Sequence, residues 1–236
     1  MSMHGLRALA LMLAVSAVPT ATGFAETHLA QVTGRVTLVG RLPVPIAYTP
    51  TKEPDVCGTA PQSSDEVVVA AEGAVRYAVV SLSGMGPSGR AAQMSVTLDQ
   101  KRCRFEPHVV LIPAGATLEI LNSDNTLHNV RTTSKKNPPF NKAQPKAVKK
   151  IKQIFNAAPE RIKVQCDAHS WMSAWIIVQE NPYYAITDAQ GQFTLNNVAP
   201  GEYTLTYWHE RFGEQTSRIT VPPAGTVSVD LIFHAK

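Results

Sequence analysis

The chain has 236 residues, a formal net charge of +4 and charged side chains at 17% of its positions. It carries 17 prolines, and its apolar residues come mostly in short alternating runs, which predicts an all-β protein. It shows no Ser-His-Asp order, carboxylate pair or glycine-rich phosphate loop, so hydrolytic and phosphoryl-transfer chemistry lack support and we expect no catalytic residues.

Residues 1–25 have the three-part layout of a secretory signal peptide. Arg7 precedes an apolar run from Ala8 to Val18, and small and polar residues then lead to Ala25. The run is too short to span a membrane stably, and no transmembrane stretch follows it. We therefore predict cleavage near Ala25 and a periplasmic or secreted protein of about 210 residues, enough for one large or two small domains.

The remaining chain divides into an N-terminal β segment (26–91), a central unit (92–180) and a C-terminal unit (181–236). Segment 131–155 is polar and rich in lysine, and no strand is predicted there. In the first two parts, turn-rich stretches separate predicted strands at 32–39, 66–71, 75–82, 94–98, 109–112, 117–121, 161–166 and 173–178.

Four side chains of the central unit form a candidate metal site: His128, Cys166, His169 and Met172. One thiolate, two imidazoles and one thioether are the ligand set of a trigonal His₂Cys copper site with a weak axial Met. His128 follows a predicted strand, and the other three fall on one short loop between two predicted strands. Each residue alone has an ordinary structural explanation, but together they predict one mononuclear copper ion.

This pattern resembles the cupredoxin family over residues 92–180. The spacing C-x₂-H-x₂-M is similar to the ligand loop of amicyanin, and Asn129 follows the first histidine, as is common in plastocyanin-like proteins. The resemblance implies a Greek-key β-sandwich with four copper ligands. His128, Cys166 and His169 would form an equatorial plane around the copper, and Met172 would make one axial contact.

The ligand loop departs from the family pattern at two positions. Ala168 stands where many relatives have proline, and the bulky Trp171 lies inside the loop. The resemblance implies that His169 is partly exposed, as the exit for the electron. Trp171 would then border that exit as a docking surface for a partner, whereas Trp175 is more simply explained as a buried residue.

The three cysteines match an exported metalloprotein, since an odd cysteine in an oxidising compartment needs a separate explanation, such as a metal. We predict a disulfide between Cys57 and Cys103, with Cys166 free for copper. The alternative pairs Cys166 with one of the others, which leaves a different thiol unpaired and the His-Met cluster unexplained.

The stretch 135–163, between the first and second ligands, contains nine basic residues: Lys135, Lys136, Lys142, Lys146, Lys149, Lys150, Lys152, Arg161 and Lys163. Such a run is usually a solvated face, and nucleic acid is an improbable partner for an exported protein. The run, and Lys149, Lys150 and Lys152 in particular, would also steer an acidic redox partner or an anionic membrane surface toward the copper.

The C-terminal unit carries the run Asp188-x-x-Gly-x-Phe-x-Leu-x-x-Val-x-Pro-Gly-x-Tyr-x-Leu205. This run resembles the carboxypeptidase regulatory-like domain, a small transthyretin-like β-sandwich that usually opens with a Gly-x-Val strand. Residues 33–36 near the N-terminus offer such a strand. The resemblance thus implies a second small sandwich, with the cupredoxin unit inserted between its halves.

These observations favour an exported blue copper protein that carries single electrons. Its redox partner would be a cytochrome or a copper or quinoprotein enzyme. One alternative is copper storage or delivery without redox turnover, and another is carbohydrate or protein binding by the regulatory-like domain beside a degenerate copper site. His108 and His209 have no assigned role, and a structural role is the simpler expectation for each.

Overall fold

The computed structural model describes residues 29–86 and 93–235, so the predicted signal peptide lies outside the described residues. Its regular structure is almost entirely β, which confirms the all-β prediction. Before residue 87 the chain forms, in order, β1 (Ala30–Val39), β2 (Ala47–Tyr48), the short helix α1 (Pro54–Cys57), β3 (Gln62–Ser63), a 3₁₀ turn (Ala71–Gly73) and β4 (Val79–Ser83).

Two further groups of strands complete the chain. The first comprises β5 (Ser95–Lys101), β6 (Arg104–Glu106), β7 (Val109–Pro113), β8 (Thr117–Asn122), β9 (His128–Thr133), β10 (Asn141–Gln144), β11 (Lys150–Ile154), β12 (Glu160–Gln165) and β13 (Ser173–Gln179). The second comprises β14 (Tyr184–Ile186), β15 (Gln192–Val198), β16 (Gly201–His209), β17 (Gly213–Val221) and β18 (Gly225–His234).

Strands β5 to β13 build what we call the inserted sandwich. Its two sheets have the strand orders β10-β9-β12-β13-β7 and β11-β8-β5-β6. Alternate residues face the core, as Leu118 and Ile120 do from β8 and Ile162 and Val164 from β12, all of them fully buried. Each such side chain contributes roughly 1.5–3 kcal/mol when it is buried.

The strands on either side of the inserted sandwich join to form the outer sandwich. Its sheets have the orders β15-β1-β18 and β14-β4-β16-β17, so strands from both ends of the chain contribute to both sheets. β1, which contains residues 33–36, runs antiparallel to β15 and parallel to β18 and so belongs to the outer sandwich. Gly34 is required at that position because a Cβ atom there would lie 1.9 Å from the carbonyl oxygen of Val229.

Several expected strand positions are wrong. Residues 66–71 form no strand, only an isolated bridge from Val69 to Val75, and the strand expected at 75–82 begins at Val79. The lysine-rich segment contains β10 and β11, where the sequence predicted no strand. Both strands lie at the edge of a sheet, and their side chains are mostly exposed, so their sequences lack the apolar alternation that predicts a strand. Charged residues on an edge strand discourage its pairing with another chain.

Within the described residues, the structure has no helix that is both long and apolar enough to cross a membrane.

Candidate metal centre

The strand order brings the four predicted ligands to one end of the inserted sandwich. His128 is the first residue of β9, Cys166 follows β12 directly, and Met172 immediately precedes β13. β12 pairs antiparallel with both β9 and β13, so the start of β9 lies beside the loop that joins β12 to β13. The backbone N–H of Cys166 donates to the carbonyl of Met172 at 3.2 Å, which closes this loop (residues 166–172, the ligand loop).

Atoms of three predicted ligands converge at this end of the inserted sandwich. The Nδ1 atoms of His128 and His169 are 3.0 Å apart, and the Cys166 Sγ lies 3.8 Å from the His169 Nδ1. Metal–ligand bonds of about 2.0–2.3 Å place neighbouring ligand atoms about 3–4 Å apart, so these residues fit a single small metal ion. All three side chains are buried, and Met172 is buried in the same core cluster as Cys166.

Two carboxylates hold the outer edges of the imidazoles. The His128 Nε2 lies 2.8 Å from Asp124 Oδ2, and the His169 Nε2 lies 2.6 Å from Glu53 Oε2. Each carboxylate accepts a hydrogen bond from the Nε2–H, which keeps the proton on Nε2 and leaves the Nδ1 lone pair free for a metal. Both rings are therefore oriented as metal ligands that bind through Nδ1.

Hydrogen bonds shift the pKa values of the cluster toward charged forms. Burial raises the pKa of Cys166, but hydrogen bonds from His128, His169 and backbone N–H groups outweigh burial and lower it to about 6. Burial lowers the pKa of His128, but its bonds to Asp124 and Cys166 raise it to about 9. At neutral pH the metal-free cluster is thus a thiolate beside an imidazolium, and metal binding would displace the proton.

Asn129 fastens β9 to the ligand loop. Its Oδ1 accepts the backbone N–H groups of Asp167 at 2.6 Å and Ala168 at 3.2 Å, and its Nδ2 donates to the Asn141 Oδ1 at 2.7 Å. The first and second ligands are therefore held at a fixed separation before any metal binds.

The expectation that His169 is partly exposed is wrong. Its side chain is 0% exposed, and it is contacted by Glu53, from a segment far away in sequence, and by the Trp171 ring. Trp171 is also partly covered: its ring stacks on Tyr48 with centroids 6.0 Å apart, and its Nε1 donates to the Cys103 carbonyl at 3.2 Å.

The predicted disulfide between Cys57 and Cys103 is confirmed. The described residues include all three cysteines, and Cys166 is the free one. The bond anchors α1 to the turn between β5 and β6, and both sulfurs lie within 4.8 Å of a ring nitrogen of His169.

The lysines proposed for steering lie on and beside β11. Lys149 donates to the Asp124 carbonyl at 2.8 Å, which places it next to the His128 side of the cluster. Lys150 and Lys152 both pair with Glu119, at 3.0 and 3.3 Å, so part of their positive charge is compensated.

Neither unassigned histidine belongs to the metal cluster. His108 is buried and contacts the Ser173 carbonyl and the Glu210 carboxylate. His209 is buried against Phe212, and burial lowers its pKa to about 4. Both match the simpler, structural expectation.

Two residues that contact the histidines, Asp124 and Glu53, were not predicted from the sequence. Asp124 lies four residues before His128, a spacing that offered a local signal. Glu53 is separated from His169 by 116 positions and carried no signal in the sequence.

Comparisons with known proteins give one family match and several similar solved structures. Residues 173–234 match the family model of the carboxypeptidase regulatory-like domain. That match begins in β13 of the inserted sandwich and continues through the C-terminal strands of the outer one. A comparison with curated protein sequences gives no match.

Similar solved structures include three copper proteins or cupredoxins. The Cu-containing nitrite reductase of Thermus scotoductus SA-01 is 24% identical, with a TM-score of 0.34, and the match covers 40% of this chain and 25% of that one. A purple cupredoxin from Nitrosopumilus maritimus is 18% identical, with a TM-score of 0.31, over 36% of this chain and 99% of that one. A mutant of amicyanin in its Cu(I) form is 16% identical, with a TM-score of 0.33, over 42% of this chain and 98% of that one.

Proposed function

We propose that this protein binds one copper ion and carries single electrons, without catalysing a reaction itself. The observation that supports this most is the convergence of two Nδ1 atoms and one thiolate, with each Nε2 held by a carboxylate. His128, Cys166 and His169 would be the principal ligands and Met172 the weak axial ligand.

Copper bound by these residues would supply a Cu(I)/Cu(II) couple. The chain's own contribution is a buried set of ligands that is already assembled. β9, β12 and Asn129 fix the ligand positions, so little has to move when the charge changes. Burial also keeps bulk water away from the thiolate of Cys166.

We propose that the protein acts outside the cytoplasm, as the signal-peptide layout of residues 1–25 indicates. Its partner would be a redox protein with an acidic surface. Lys149, beside Asp124, is the best placed of the lysines to attract it, because Glu119 offsets the charge of Lys150 and Lys152.

The proposed function is tested by adding Cu(II) to the mature protein and recording the visible spectrum. We expect one copper per chain and an intense charge-transfer band that reduction abolishes. Cys166→Ser should remove the band. Met172→Leu should keep it and raise the reduction potential, since the thioether only tunes the centre.

Two results would contradict this account. A Cu(II) complex with only weak d–d absorption would exclude the thiolate ligand in the oxidised state. Loss of copper binding in Met172→Leu as complete as in Cys166→Ser would exclude the weak axial role.

Copper storage or delivery is a second candidate, and the burial of His169 favours it. An electron carrier benefits from a ligand near its surface, whereas a storage protein benefits from a closed site. Tight binding of Cu(I) together with a colourless or unstable Cu(II) complex would identify this second function.

A further inference from the structure

The segment 47–63, which we call the cover, lies over the ligand loop. It consists of β2, α1, β3 and their connections. Three contacts hold it there besides Glu53: Lys52 Nζ donates to the Ala168 carbonyl at 2.8 Å, Tyr48 stacks on Trp171, and Cys57 is bonded to Cys103.

Glu53 is the point at which the cover meets the metal cluster. Its Oε2 lies 2.6 Å from the His169 Nε2, and its side chain is 40% exposed whereas that of His169 is 0% exposed. The carboxylate therefore stands between the imidazole and the solvent.

The backbone of Glu53 is also unusual. It has φ 43° and ψ 61°, the left-handed region that residues other than glycine rarely adopt. Backbone strain of this kind persists where the surrounding structure requires it, often at functional sites. Here the Glu53 carbonyl starts α1 by accepting the N–H groups of Val56 and Cys57, while its side chain reaches His169.

We propose that Glu53 is a positioning residue for His169 and that the cover keeps the metal in its site. By accepting the Nε2–H, Glu53 holds the ring with Nδ1 toward Cys166 and His128. The remaining contacts of the cover limit the access of water and competing ligands. The proposal rests on copper binding at this cluster, the function proposed above.

The first test uses metal-free protein and therefore does not depend on copper. Cys166 is titrated with a thiol reagent in the parent and in Glu53→Ala, Glu53→Gln and Asp55→Asn. Asp55→Asn is a matched control, because it removes a carboxylate from an exposed position of α1, two residues after Glu53. We expect Cys166 to react fastest in Glu53→Ala and at the parent rate in Asp55→Asn.

The second test follows copper retention and the His169 ring. In Glu53→Ala we expect copper affinity to fall by about 10- to 100-fold, as for other carboxylates that orient histidine ligands. In ¹⁵N-labelled protein loaded with Cu(I), we expect a slowly exchanging Nε2–H signal from His169 in the parent and in Asp55→Asn. Glu53→Gln, which keeps an acceptor oxygen, should retain the signal, and Glu53→Ala should lose it.

The outcomes separate this proposal from the proposed function. Copper binding with a thiolate band, but with the same affinity, ring signal and thiol reactivity in Glu53→Ala as in the parent, would overturn the role of Glu53 and leave the function intact. A parent protein that fails to bind copper would overturn both. Changes in thermal stability without changes in affinity or ring signal would also overturn the positioning role.

Discussion

Asp124 connects a strained turn to His128, a proposed copper ligand. Its two carboxylate oxygens accept the backbone N–H of Arg102 at 2.7 Å, that of Cys103 at 2.8 Å and the ring N–H of His128 at 2.8 Å. Arg102 and Cys103 have φ values of 54° and 55°, as in the tight turns that favour Asn and Gly. The carboxylate thus stabilises an unfavourable turn, fixes one half of the disulfide and orients His128.

Replacement of Asp124 by Asn should weaken both the fold and the metal site. An amide has one acceptor oxygen and no charge, so it cannot serve all three donors. We expect the free energy of unfolding to fall by about 2–3 kcal/mol and copper affinity to fall by about 10- to 100-fold. Denaturant titration and competition with a copper chelator measure these two quantities.

Asp99→Asn is the control for this substitution. Asp99 accepts hydrogen bonds from Ser123 at the surface and does not contact His128. If both variants kept the copper affinity of the parent, Asp124 would have no part in holding the ligand.

Among the secondary-structure elements, the loop between β9 and β10 is hydrogen-bonded to Glu160, the first residue of β12. Its carboxylate accepts the Ser134 hydroxyl at 2.8 Å and the backbone N–H groups of Lys135 at 2.5 Å and Lys136 at 2.8 Å. It also accepts the side-chain amide of Asn137 at 2.7 Å. Burial raises the pKa of Glu160, but these hydrogen bonds outweigh burial and lower it to about 2.

Glu160→Gln should therefore lower stability in a way that depends on pH. Because the folded-state pKa lies below the usual value of 4.5, the stabilisation is present above pH 4.5 and is lost as pH falls through about 2. We expect urea titrations to show a less stable variant at pH 7 and a difference from the parent that shrinks below pH 4.5. Glu214→Gln, which breaks a surface pair with Arg161, should change stability little at any pH. A difference for Glu160→Gln that stayed constant down to pH 2 would contradict the assigned pKa.

Some elements of the fold and of the candidate site could be predicted from the sequence, and others could not. The ligand loop was predictable because Cys166, His169 and Met172 lie close together in sequence, and the outer sandwich because its turn pattern is distinctive. The prediction of a strand at 66–71 was wrong. An alternating pattern favours extended backbone, but a strand also needs a neighbour to pair with, and here only Val69 makes an isolated bridge. The cover over His169 was unpredictable because it depends on tertiary contacts across more than a hundred positions.

In the whole molecule, the outer sandwich supports the end of the inserted sandwich where the ligand loop lies. His108 contacts the carbonyl of Ser173, the residue after Met172, and the carboxylate of Glu210 in the outer sandwich. Glu210 also accepts the ring N–H of Trp175 at 2.9 Å. A small apolar cluster that includes Val79, Val109 and Ile177 is buried between the two sandwiches.

The insertion also explains where the cover comes from. The cover lies between β1 and β4, both of which belong to the outer sandwich. The chain leaves that sandwich and crosses the ligand loop. The disulfide of Cys57 then anchors it to the turn between β5 and β6, and it returns as β4. One arrangement of strands thus supplies the proposed ligands, their support and their cover.

The proposed function requires that a single copper ion binds among His128, Cys166 and His169. The most direct measurement is X-ray diffraction from crystals of copper-loaded protein on both sides of the copper absorption edge. The account predicts one anomalous peak per chain, within bonding distance of the Cys166 Sγ and of both Nδ1 atoms. A peak at any other position, or ring nitrogens other than Nδ1 facing the metal, would contradict it.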